Sequence, residues 1–265
     1  MSRFSSLEFE DSESHNSQNE TYSESVLGDV LSEEADCLRA ADLAWREMRF
    51  ENGLRYYAKA LEFNANNPDP WVGQSRMLME LGEIREAKVW ADKALERFPN
   101  HPELLAVKAV ALARIGDLKE AQAYSDASFE EKGESPYIWI ARGEVALACR
   151  QQRAEFCFDR ALSQSNGDWI YSWLISRAYY FYEKFAKALV HAQQAVAIAS
   201  DQGAVWAQLA FCQHSLGMTS LSFESMETAL ELTPREAGLR DVFQELESVS
   251  FFGGLWRRWT GWKNR

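Results

Sequence analysis

One spacing, of about 34 residues, runs through most of the chain and limits its fold more than any local motif does. The pairs Ala60-Leu61, Ala94-Leu95, Ser128-Phe129, Ala161-Leu162, Ala195-Val196 and Ala229-Leu230 recur at intervals of 34, 34, 33, 34 and 34. Seven residues before each pair stands another small residue: Gly53, Ala87, Ala121, Ala154, Ala188 and Ser222. A second series, Trp71, Leu105, Trp139, Trp173 and Trp206, steps by 34, 34, 34 and 33, and Pro68, Pro102 and Pro136 keep the same period. Apolar residues inside each period follow helical spacing. A period of this length is a supersecondary unit that cannot bury its apolar face alone, so the units must stack.

The signature resembles the tetratricopeptide repeat, whose helix-turn-helix unit carries W-x₂-L-G-x₂-Y, then A-x₃-F, then P. The second unit matches best, with Trp71, Ser75 and Leu78 in its first helix, then Ala87, Ala94 and Pro99. The resemblance extends from Ser32 to Pro234 and comprises six units. It implies an all-α fold, a right-handed superhelical solenoid of helix hairpins with a concave face lined by first helices. Departures are local. Cys37 replaces the usual Trp or Leu, Ser125 and Ser128 occupy positions that are normally apolar or Ala, and the fourth unit slips by one residue. In the fifth, register with Trp173 would place Arg177 on the small position. A one-residue shift that puts Ser176 there is favoured, because an Arg would hold two touching helices apart. Relatives that clamp the carboxyl end of heat-shock chaperones use Lys and Asn on the first helices. The matching positions here are Leu38, Asp42 and Gly73, so that ligand class is disfavoured.

Small residues such as Ala41, Ser75, Ala109, Gly143 and Ala210 let paired helices approach, and the bulky positions fill the space between units. Asp69-Pro70 and Ser135-Pro136 are expected as N-caps with Pro in the first turn. Thr233-Pro234-Arg235-Glu236 reads as a capping box. It would open a helix over 235–250, with Leu239, Val242, Phe243, Leu246 and Val249 on one face, closing the apolar end of the sixth unit.

Charge divides the chain. The formal total is −12, of which residues 1–34 hold about −8, while the last fifteen residues carry about +4 and no acid. Such acidity argues against nucleic acid as a partner. Residues 1–31 are Ser-rich and acidic, with too little to bury, and are expected to be a disordered tail. No apolar core of signal-peptide length precedes Glu34, and the best apolar run, Leu104 to Ile115, contains Lys108 and Arg114. A cytoplasmic location is expected, with Cys37, Cys149, Cys157 and Cys212 as reduced thiols.

No phosphate loop, H-E-x-x-H, G-x-S-x-G or paired CxxC occurs, and His15, His101, His191 and His214 are scattered. The expectation is a non-enzyme with no metal, cofactor or small-molecule substrate. One helical turn away from the core positions, Val72, Arg76, Val107, Val110, Arg114, Ile140, Leu147, Phe181 and Phe211 are the candidate lining of a partner-binding groove. Packing between units is the competing assignment for each, since a one-residue slip turns the face by ~100°. A largely apolar groove in an acidic body suits a client peptide or amphipathic helix with basic flanks.

The last segment, 251–265, puts Phe251, Leu255, Trp259 and Trp262 in one helical sector, widened by Phe252 and Trp256. Arg257 and Arg258 face the other way, and Lys263 sits at the boundary, where its stem can snorkel. Three uses compete: anchorage at an anionic membrane surface on the cytoplasmic face, docking as a peptide in a groove, or packing on the preceding helix. For the first, each cation near an anionic surface adds ~1 kcal/mol, and Trp favours the interface. The functional expectation is an adaptor that binds a client in its groove and is tethered peripherally by this tail. The alternative is a cytosolic co-chaperone or secretion-type chaperone shielding an apolar client segment, with the tail as a docking peptide.

Overall fold

A computed structural model describes the backbone of residues 23–131 and 135–233, with side chains from residue 33. All twelve elements among these residues are α-helices, paired as six hairpins. They are α1 (Ser23–Arg46) with α2 (Phe50–Phe63), α3 (Pro68–Glu80) with α4 (Ile84–Arg97), and α5 (Pro102–Ile115) with α6 (Leu118–Glu130). Next come α7 (Pro136–Ala148) with α8 (Ala154–Gln164), α9 (Trp169–Phe181) with α10 (Phe185–Ile198), and α11 (Gly203–Ser215) with α12 (Thr219–Leu232). The expected closing helix at 235–250 and the basic segment at 251–265 lie outside the described residues, as does 1–22. Helix α1 reaches back to Ser23, although the helical register was expected to begin at Ser32.

Periodicity and packing coincide. All six small positions from Gly53 to Ser222 are buried, as are Ala60, Ala94, Ser128, Ala161, Ala195 and Ala229. Their small side chains let the two helices of a hairpin close, and each first helix also packs on the first helix of the next unit, from α3 on α5 to α9 on α11. Helices α5, α7, α9 and α11 are therefore covered on nearly every side, and their sequences are correspondingly apolar all round. Trp71 and Trp206 donate from Nε1 to the carbonyls of Ala65 and Ser200, at 3.1 and 2.8 Å, tying their helices to the preceding turn.

Two expected caps differ in detail. The cap of α3 is Asn67, whose side chain accepts from the Asp69 N–H at 2.9 Å, and Asp69 sits in the first turn. Two prolines, Pro68 and Pro70, follow that cap, and the first already occupies the first helical position. Ser135 precedes Pro136 at the start of α7 with extended backbone but makes no side-chain cap bond. The fifth unit adopts the favoured shift. Ser176 is fully buried and donates to the Ala188 carbonyl at 2.8 Å, leaving Arg177 to project elsewhere.

Candidate functional site

The candidate lining divides into three groups. Val72, Val107, Val110 and Ile140 converge from α3, α5 and α7 on one inner strip, where each is no more than 4% exposed. Leu147 and Phe181 are half-buried at its edge. Phe211 belongs to a different cluster, with Met226 and Ala229 between α11 and α12. The inner strip is thus filled by its own side chains.

Charge accompanies this strip. Arg76 lies between the rings of Trp45 and Tyr137, 4.1 and 4.0 Å from their centroids. Arg114 donates from Nε to Glu144 at 2.6 Å, with both side chains about 5% exposed or less, and stacks 4.9 Å from the Phe181 ring. Burial opposes the Arg114 charge, and Glu144 more than offsets it, holding the guanidinium above its ordinary value. Arg177 pairs with Glu80 of the second unit and lies 4.8 Å from the Trp173 ring. Glu80, Tyr137 and Arg177 were not among the expected lining residues, whereas helical spacing does place Arg76, Arg114 and Glu144 on that face.

A seam joins the first and fifth units. Arg46, at the end of α1, makes a bidentate pair with Asp168, the N-cap of α9, at 3.0 and 2.6 Å. Asp168 also accepts from the Ile170 N–H at 3.1 Å. The Arg46 hydrogen bond is the main cause holding the Asp168 carboxyl below its usual range. Beside this pair, Arg46 covers Trp169, and Phe50 meets Trp173 at 6.5 Å. The inner face is closed here by long side chains reaching between units.

The disfavoured carboxylate-clamp positions have a structural counterpart. A Cβ on Gly73 would come within 2.3 Å of the Tyr57 ring, whose hydroxyl donates to Asp42 at 2.7 Å. Tyr57 therefore occupies the space above Gly73, and Asp42 adds a negative charge beside it.

On the outer side, Phe129 and Phe156 are exposed and flank Trp139 at ring distances of 5.1 and 6.2 Å. Arg142 lies over Phe129 and Arg160 over Trp139, at 5.0 and 5.5 Å. Among the described residues, no His, Cys, Asp and Glu group is disposed to hold a metal, and no helix is long and apolar enough to cross a membrane. The four cysteines are free. Residues Phe251, Leu255, Trp256, Arg257, Arg258, Trp259, Trp262 and Lys263 lie outside the described residues.

Residues 44–110 match the family model of the tetratricopeptide repeat. No curated protein matches the sequence. Among solved structures, a tetratricopeptide repeat protein from Parabacteroides merdae is similar, with a TM-score of 0.53 at 16% identity over 86% of this chain and 95% of that one. The APC/C hetero-tetramer Cut9-Hcn1 is similar with a TM-score of 0.50 at 16% identity, covering 84% of this chain and 44% of that one. The chain spans less than half of that relative's length. Likenesses at this identity speak for the fold, and they agree with the hairpin array and with the repeats matched over residues 44–110: the chain folds as a tetratricopeptide-repeat solenoid.

Proposed function

We propose that the chain is a non-enzymatic adaptor that binds a client peptide or amphipathic helix along its inner strip and is tethered to an anionic membrane surface by residues 251–265. The observation that carries the client site is the convergence of Val72, Val107, Val110 and Ile140 from successive first helices, roofed by a seam of side chains between α1 and α9. Opening that seam exposes an apolar strip with Arg and Glu at its edges, a surface suited to apolar anchors at helical spacing. The basic Trp-rich sequence of the last segment supports the tether.

A photo-crosslinking residue at Leu147 or Phe181, on the rim of the strip, tests the client site in cells. Capture of a discrete client from these positions is expected, and capture from Phe156 on the outer side alone would sink the assignment. Flotation of the full chain with phosphatidylglycerol vesicles tests the tether. Binding that the Trp256, Trp259 and Trp262 triple substitution to Ala abolishes supports it, and a chain that fails to float argues for the co-chaperone alternative, in which the tail docks on protein.

A further inference from the structure

Three guanidiniums on the inner face are held in the same way. Arg46 lies against Asp168 and the Trp169 ring, Arg114 against Glu144 and Phe181, and Arg177 against Glu80 and Trp173. Each time a carboxylate takes the charged group and an aromatic ring packs beside it. Two of these pairs are shut in, with every side chain 13% exposed or less, whereas Arg46 and Asp168 are 37 and 30% exposed. Of the three, this last site is the one open to approach from solvent, and its arginine comes from the first unit, 122 residues away in sequence.

The receiving side is fixed without Arg46. Asp168 caps α9 by accepting from the Ile170 N–H at 3.1 Å, and Trp169 is buried edge to face against Trp173, 6.5 Å between ring centres. Asp42 adds to the field. The hydrogen bond from Asp168 is the main cause holding Arg46 above its ordinary value; burial opposes it, and the charges of Asp168 and Asp42 reinforce it. Withdrawing Arg46 would leave two carboxylates and a ring beside the apolar strip. Such a site suits a planar cation, and arginine fits it better than lysine because its fork matches a carboxylate and its plane stacks on a ring.

We infer that Asp168 and Trp169 form a site for an arginine side chain of the client, and that Arg46 is the chain's own stand-in, which a client with a basic flank displaces. The inference rests on the client site proposed above and names one chemical requirement of that client. Displacement couples recognition to opening, because the bond that closes the seam is the bond that a client arginine replaces. The exchange is nearly balanced, since one guanidinium leaves the carboxylate as another arrives and the exposed pair gives up little. A client without a cation would have to open the seam and leave Asp168 unpaired, which disfavours it.

Two substitutions in the full chain separate recognition from a merely structural tie. Both break the seam, so a tie alone predicts that they act alike. Arg46→Ala empties the site, and Asp168→Asn removes its charge while keeping a side chain that caps α9. Both positions are partly exposed, and the fold should survive either change. N-acetylarginine methylamide, followed through the Trp indole N–H signals, should bind Arg46→Ala about three- to sixfold more tightly than the unsubstituted protein, the factor by which an exposed internal pair competes. Adding Asp168→Asn to Arg46→Ala should weaken that binding about fivefold or more. The citrulline analogue, neutral and of similar shape, should not bind. In cells, client capture from a photo-crosslinking residue at Leu147 should rise with Arg46→Ala and fall with Asp168→Asn. Equal affinity of the arginine amide for parent and Arg46→Ala, binding that survives Asp168→Asn, or client yields that move the same way in both variants overturns the inference. No client at Leu147 in any of the three proteins would instead sink the client site itself, whatever the amide does.

Discussion

Six backbone positions keep the repeat period without help from side-chain type. Met48, Gly82, Gly116, Arg150, Glu183 and Gly217 all have φ between 55° and 105°. Each ends a first helix, and the next residue's N–H bonds to a carbonyl five residues back, as in Glu83 to Leu78 at 2.9 Å and Lys184 to Tyr179 at 2.9 Å. Half of these positions hold L side chains, where the left-handed conformation costs ~1 kcal/mol or more. Arg150→Gly and Glu183→Gly should therefore stabilise the protein by ~0.5–1 kcal/mol, after the added freedom of the unfolded chain is subtracted. A higher urea midpoint at unchanged slope is the expected reading, and a lower one contradicts the argument. Gly73 makes the opposite case, because its need is space. A Cβ there meets Tyr57, so Gly73→Ala should cost ~1–3 kcal/mol by overpacking and should disturb the Tyr57–Asp42 bond. A midpoint within error of the parent would show that the ring yields freely.

Among the elements, α9 departs furthest from its equivalents. Trp173 sends its Nε1–H forward to the Ala204 carbonyl at 3.1 Å, whereas Trp71 and Trp206 bond to the turn before them. This difference accompanies the one-residue shift, which the conflict between Ser176 and Arg177 made legible in the sequence. Small residues at fixed spacing likewise made the hairpins and their closest contacts legible, because helix approach depends on side-chain size at a few registered positions. The inner charges were legible only in part: helical spacing points to Arg76, Arg114 and Glu144, but Glu80 and Arg177 stand outside the expected face. On α10, His191 stacks on Tyr179 with rings 5.5 Å apart and 11° from parallel. Burial holds its pKa below the ordinary value, against the bond to Gln194 and the pull of Asp159 and Glu155, while Lys187 acts with burial. The folded protein thus binds fewer protons here than the unfolded chain does. Stability present above the unfolded His value of about 6.5 is lost as pH falls through the folded one. Urea midpoints should decline below pH ~6.5, and His191→Asn should flatten that decline. An unchanged slope would assign it elsewhere; His214, whose pKa burial also lowers, is the next residue to substitute.

For the whole molecule, the decisive contact is one that no repeat pattern encodes. Arg46 and Asp168 stand 122 residues apart, and they meet because small rotations between successive units accumulate until the fifth unit faces the first. A stripe of apolar residues predicts which helices face inward, but not whether the curve closes on itself. Both partners of the pair are about one-third exposed, so its direct contribution is modest, ~0.5–1 kcal/mol. Its effect on local opening is larger than that figure, because the pair ties the first unit to the fifth beside the Arg46–Trp169 and Phe50–Trp173 contacts. Arg46→Ala and Asp168→Ala should each lower global stability only slightly yet raise amide exchange in α1 and α2, and the double variant should add little to either. The low folded pKa of Asp168 gives a second reading. A depressed carboxylate contributes stability above its unfolded value of about 3.9, and that stability is lost as pH falls through the folded value. Closure should accordingly persist across the range in which His191 titrates and fail only in acid. If α1 and α2 exchange begins to rise near pH 6 in the unsubstituted protein, the seam is held by something other than this pair.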